Sequence, residues 1–124
     1  MKTVTVEQIA EICHNANRAY QKSLGEEGVS WERAPKGIKD SVIAGVAYRL
    51  NNPLSSPEGQ HDNWLKDKIK DGFTFGEKKS IKDKTHPCIL PYAQLPEEQR
   101  IKDELFVAIV DTFKNRVEPF EIEN

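Results

Sequence analysis

The sequence predicts a mainly α-helical single domain of four helices, with a small β element of one or two short strands. Three observations lead there. Four stretches carry apolar residues at helical spacing, each bracketed by capping or stop residues. Between the third and fourth stretches the chain first alternates and is then broken by prolines, which suits short strands and extended chain. The length, 124 residues, leaves room for one modest core.

The first helix is expected from Thr5 to about Lys22. Val6, Ile9, Ala10, Cys13, Ala16 and Tyr20 form one stripe, with Glu7, Glu11, Arg18 and Lys22 turned away. Thr5 followed by Gln8 is a capping-box signature, and Gly25 stands just past the end. A connector runs from Gly25 to Pro35, with one helical turn begun by Ser30, and its Trp31 is a lid or a clamp over the first helix. The second helix is expected from about Lys36 to Leu50. Ile38, Val42 and Val46 lie along one line, and Ile43, Ala47 and Leu50 along the next, so this helix should pack on two sides at the centre of the domain. Asn51-Asn52-Pro53 ends it.

Ser56-Pro57 opens the third helix as N-cap and first-turn proline, and Gly72 stops it after about Asp71. Phe73-Thr74-Phe75 alternates as a strand does, and a charged loop follows from Gly76 to Lys84. His86 to Tyr92 should be extended, because each proline disfavours helix in the residue before it. Pro96 starts the last helix, with Glu97 and Glu98 favoured in its first turn by the helix dipole. Its expected buried stripe is Ile101, Leu105, Ala108, Ile109 and Phe113. The acidic tail, 118–124, is expected to fray.

Charged residues make up 31% of the chain and the net charge is −2, which speaks against a nucleic-acid footprint. The N-terminus has no apolar h-region, and no apolar run approaches the ~18 residues that span a bilayer. A cytoplasmic protein with no membrane contact is the expectation, with Cys13 and Cys88 as reduced thiols. His14, His61 and His86 have no metal-type spacing, and neither a phosphate-cradling glycine loop nor a nucleophile elbow is present. Cys88 and His86 make a dyad on paper only. No enzyme, metal or cofactor is expected.

The segments His61-Asp62-Asn63-Trp64, Gly72-Phe73-Thr74-Phe75-Gly76, His86-Pro87-Cys88-Ile89-Leu90-Pro91-Tyr92 and Leu95-Pro96-Glu97-Glu98 together resemble the signature of the ryanodine-receptor-type (RyR) domain. Cys13 through Tyr20 is similar to the first helix of its stand-alone bacterial and phage versions. The likeness runs from about Val6 to Val110. Phe73 and Phe75 depart from it, standing where the family has a tryptophan and a tyrosine, so any polar ligand contact from those rings is lost. The resemblance implies a helical module with short strands. In receptors, one tandem pair of such domains is implicated in binding adenine nucleotides through tryptophan stacking, and another carries a loop that kinases modify. Stand-alone versions are thought to pair as homodimers that imitate the tandem, and have been proposed as sensors of nucleotide-derived ligands in phage–host conflict.

Six residues are candidate ligand contacts. Trp64 is a core anchor of the third helix or an aromatic platform under a base, worth about 1–3 kcal/mol as a stacking partner. Asn17 falls inside the apolar stripe of the first helix, so its amide needs partners, either backbone groups of residues 86–92 or a ligand. Arg18 is the candidate fork for a phosphate or carboxylate, against a surface ion pair. His61 shares the face of Trp64. His86 either ties its loop to a helix or meets a ligand, and Tyr92 is an aromatic wall, a hydroxyl donor or a packing element. The lysine-rich loop from Lys78 to Lys84 is solvated unless it folds over a pocket, where it would attract an anion. The expected function is non-catalytic binding of a nucleotide-like small molecule, adenine-containing or cyclic, by a homodimer. A protein-interaction module with no small-molecule ligand is the alternative.

Overall fold

A computed structural model describes residues 2–120. Its elements are α1 (Val6–Ser23), α2 (Lys36–Asn51), α3 (Pro57–Lys70), β1 (Thr74–Phe75), β2 (Thr85–His86), a 3-10 turn (Tyr92–Gln94) and α4 (Glu97–Phe113). The mainly α fold with a small β element is therefore observed. The Thr5 hydroxyl accepts from the Gln8 N–H at 3.0 Å, and the Gln8 side chain accepts from the Thr5 N–H at 2.9 Å. This reciprocal box satisfies two N–H groups that the start of α1 would otherwise leave unpaired. Ser56 caps α3 through the Gly59 N–H at 3.1 Å, with Pro57 in the first turn. Gly72 follows α3 at φ 93°, a backbone conformation open to glycine at little cost.

The core gathers Val6, Ile9, Ala10 and Cys13 of α1, Trp31 of the connector, Val46 of α2 and Val110 of α4. Trp31 is thus a clamp over α1, only 5% exposed, with its ring 5.6 Å from that of His14. The helical turn expected at Ser30 forms: the Arg33 N–H donates to Ser30 O and the Ala34 N–H to Trp31 O. α2 packs against all three other helices, as its broad apolar face requires. Its Arg49 is buried and bridges helices, with Nε and Nη2 donating to the two carboxylate oxygens of Asp111 at 2.9 and 2.8 Å. A further N–H of Arg49 donates to Ser55 O and anchors the turn into α3.

The buried face of α4 differs in part from the expected stripe. Ile109 and Phe113 of that stripe pack on the core, as does Phe106, but Val107 and Val110 are the buried residues and Ala108 is exposed. Leu105 through Val110 is a continuous apolar run, so spacing alone did not single out one face. The face chosen lies roughly a third of a turn from Ile101 and Leu105 at 100° per residue. β1 and β2 pair in parallel over two residues each, Thr74 opposite Thr85 and Phe75 opposite His86. After His86 the extended segment turns and ends in the 3-10 turn. Fraying was expected from residue 118, yet the Glu118 N–H donates to Val4 O and the Val4 N–H to Arg116 O, both at 2.8 Å. Phe120 also packs on the core; residues 121–124 of that tail lie outside the described residues.

α1 and α3 each pack on α2 and α4 but scarcely meet one another. The space between them, floored by α2 and α4, is where a cavity forms.

Candidate functional site

That cavity has a volume of about 260 Å³. α1 contributes Asn17 and Gln21, α3 contributes Gln60, His61 and Trp64, and α4 contributes Gln99, Lys102 and Asp103. The hairpin-like excursion after α3 closes one side with Lys79, His86 and Cys88. Four of the six candidate residues, Asn17, His61, Trp64 and His86, therefore meet at one place. Arg18 does not line it; this residue is exposed, on the outward face of α1. Tyr92 stays behind the wall, half-buried, with its ring 5.9 Å from that of His61.

The aromatic wall is a chain of rings. Trp64 lies 5.5 Å from His61 and 4.9 Å, edge-on, from His86. His61 is 3% exposed, and its Nε2–H donates to Leu90 O at 2.8 Å, which ties α3 to the proline-broken segment. His86 Nδ1 accepts from the Cys88 N–H at 3.0 Å, so in the neutral ring the proton sits on Nε2. Burial first, then the nearby charges of Lys79, Lys102 and Lys68, lowers the His86 pKa to about 3, so the ring is neutral at physiological pH. Asn17 Oδ1 is buried and has no hydrogen-bond partner among the described residues, so residues 86–92 supply none to that oxygen.

The electrostatics come from Lys79, of the lysine-rich loop that the sequence singled out, and from Glu26, Lys68, Lys102 and Asp103, which it did not. Lys102 Nζ donates to Glu26 Oε1 and Gln99 Nε2 to Glu26 Oε2, both at 2.8 Å, which pins the connector to α4. Burial opposes ionisation of Glu26, but its bonds to Lys102 and Gln99 outweigh this and hold the carboxyl below its ordinary value. Lys79 keeps much of its surface in water, yet protein surrounds it on most sides. Desolvation, followed by repulsion from Lys102 and Lys68, lowers its pKa. Lys68 is lowered by desolvation as well and sits 4.8 Å above the Phe73 ring. Asp103 is pushed up to about 7 by burial, with Asp62 adding to the rise and Lys102 opposing it. Lys79 thus feels the like charges of Lys102 and Lys68, while Lys102 is itself matched by Glu26.

The Cys88 pKa is raised, chiefly by burial, and its Sγ donates to Gln99 Oε1 at 3.4 Å rather than to His86. Burial pushes the Cys13 thiol up to about 12. Both cysteines are free. Among the described residues, no group of three or more His, Cys, Asp or Glu could hold a metal ion, and no helix is long and apolar enough to cross a membrane. One signal for the missed residues did exist: Gln99, Lys102, Asp103 and Phe106 recur at helical spacing. It becomes readable only once the buried face of α4 is known.

A family model described as the RyR domain matches residues 51–114, more than half of the chain. The matched segment begins at the last residue of α2 and takes in α3, both strands and α4. It contains the aromatic wall and the proline-broken segment; the likeness drawn on α1 lies outside it. By this match, which covers the strands and helices that build the cavity's aromatic side, the chain belongs to the RyR domain family.

Proposed function

We propose that this chain is a non-catalytic binding domain whose cavity takes an anionic, ring-bearing small molecule, foremost an adenine-containing or cyclic nucleotide. One observation carries the reading: the cavity pairs the Trp64–His86 wall with Lys68, Lys79 and Lys102. An aromatic face offers stacking to a base, and converging ammonium groups offer a phosphate its countercharge. The volume, about 260 Å³, lies just below the range usual for ligand pockets, about 300 Å³ upward. A mononucleotide suits that space with its base inside and its phosphate toward the lysines. The adenine-nucleotide binding implied by the family resemblance points the same way. Both cysteines held as thiols suit a cytoplasmic setting and a role other than thiol catalysis.

The test is a thermal-shift and calorimetric panel of mononucleotides and cyclic nucleotides against the purified chain. A ligand at ~100 Kd that binds only the native state should stabilise it by about 2.7 kcal/mol, a shift of several degrees. Trp64→Ala should abolish the shift while retaining the helical circular dichroism of the parent. A flat panel from a folded protein refutes the reading. Pairing as a homodimer goes with this first reading; a protein-interaction module with no small-molecule ligand is the second. It is favoured by the exposure of Ile69 (56%), Phe75 (51%) and Ile81 (52%). Sedimentation would register pairing directly as a mass above that of one chain.

A further inference from the structure

Gln60 stands in the first turns of α3 and is 5% exposed. Its carboxamide has a fixed orientation, because Nε2 donates to Gly45 O on α2 at 2.9 Å. A carboxamide nitrogen can only donate, so this contact defines Oε1 as the acceptor and settles which atom is which. The approach is close: a Cβ at position 45 would stand 3.2 Å from the Phe106 ring and 3.4 Å from Gln60 Nε2, so the absence of a side chain there eases the packing. Oε1 itself is buried and has no hydrogen-bond partner among the described residues. A protein interior rarely tolerates such an acceptor, since unpaired burial forfeits its hydration without return.

The position of this oxygen matters as much as its isolation. Gln60 lines the cavity, and Trp64 stands four residues further along the same face of α3. A planar ring lying against Trp64 would therefore turn one edge toward Gln60. Asn17, on the facing α1 wall, brings a second buried and unpartnered oxygen. The cavity lining thus brings together two residues with unpaired acceptors, Gln60 and Asn17, and the cationic side chains Lys68 and Lys79.

We infer that Gln60 is the specificity-determining residue of the cavity, its Oε1 accepting a hydrogen bond from an N–H group on the edge of the ligand's ring. This rests on the nucleotide reading above and narrows it. Bases with an exocyclic amine or a ring N–H at that edge are taken, and counterparts lacking the donor are rejected. The pocket reads hydrogen-bonding capacity rather than ring size.

Isothermal titration of the 124-residue chain with adenosine 5′-monophosphate and with purine riboside 5′-monophosphate isolates this contact. The two probes share phosphate, sugar and ring face, and differ by the exocyclic amine alone. A site built around a buried acceptor should prefer the amine-bearing probe by about tenfold or more. In Gln60→Met the preference should collapse to about twofold or less, in a protein that keeps its helical fold, because the loss of the bond to Gly45 O is offset by removal of an unpaired polar atom. Equal affinities in the parent chain would overturn the role of Gln60 and leave nucleotide binding standing. Preference retained in the variant would overturn it too, assigning the base edge to another residue. Failure of both probes to bind would overturn it together with the nucleotide reading. The comparison in the parent chain does not depend on the variant folding.

Discussion

Replacing Asp103 by asparagine exchanges a titrating carboxyl for a neutral group of the same shape in the cavity wall. The Asp103 side chain is 19% exposed, and its Oδ2 lies 3.7 Å from His61 Nδ1. His61 donates from Nε2 to Leu90 O, so in the neutral ring Nδ1 presents a lone pair toward Asp103. A protonated carboxyl suits that lone pair, whereas an ionised one meets it as a second acceptor. Burial raises the Asp103 pKa from 3.8 to about 7. Between those values the folded protein holds a proton that the unfolded chain has released. The resulting stability is fully present below the unfolded pKa and is lost as the pH rises through 7. At about 1.4 kcal/mol per pH unit the full displacement corresponds to about 4 kcal/mol, an upper bound that water entering the cavity would reduce.

Asp103→Asn should therefore be more stable than the parent by about 2–4 kcal/mol at pH 8, or roughly 10 °C in Tm for a domain of this size. At pH 4 the two should unfold together. Urea unfolding followed by circular dichroism at both pH values measures the difference directly. Destabilisation of the variant at pH 8 would refute the reasoning, because it would mean an ionised Asp103 paired with a protonated His61. Equal stabilities at both pH values would refute it as well, by showing the carboxylate to be adequately solvated.

Two further outcomes follow from the fold. Asp111→Ala should cost about 3 kcal/mol or more, because it strands the Arg49 guanidinium at 8% side-chain exposure, whereas Arg49→Met leaves a carboxylate 37% open to water and should cost about 1–2 kcal/mol. Denaturant midpoints of the two variants would expose the asymmetry, and equal losses would contradict it. The bond from Arg49 holds Asp111 below its ordinary pKa, so the pair's contribution is present above the unfolded carboxyl pKa and should fade as the pH falls through the lowered value. Thr5→Ala removes half of the capping box and should cost about 1 kcal/mol, read as a Tm lower by a few degrees.

Where each helix starts and stops is written in neighbouring residues, and local chemistry was enough to read it. Thr5 with Gln8, Ser56 with Pro57, and Gly72 after α3 all act over one or two turns of chain. Trp64 and Asn17 were legible as candidates because each breaks its local pattern, the one by size and the other by polarity within an apolar stripe. Arg18 fulfilled the chemistry of an anion clamp but sits on the outward face of α1, a matter of helix rotation. Gln60, Lys79, Glu26 and Asp103 are ordinary polar residues in ordinary contexts. Their roles arise from proximity to groups 15 to 76 positions away in the chain, as in the contacts of Gln60 with Gly45 and of Glu26 with Lys102.

The sequence by itself determined four helices, two of them capped by side chains, the short strands and the family, since these depend on periodicity, termination signals and a contiguous motif. Only the tertiary structure decided which face of α4 is buried and that α1 and α3 stand apart. It likewise decided which polar atoms are left facing the gap between them. The reason is physical: hydrogen bonds within a helix are local, whereas desolvation, like-charge crowding and a missing partner are properties of space that packing alone creates.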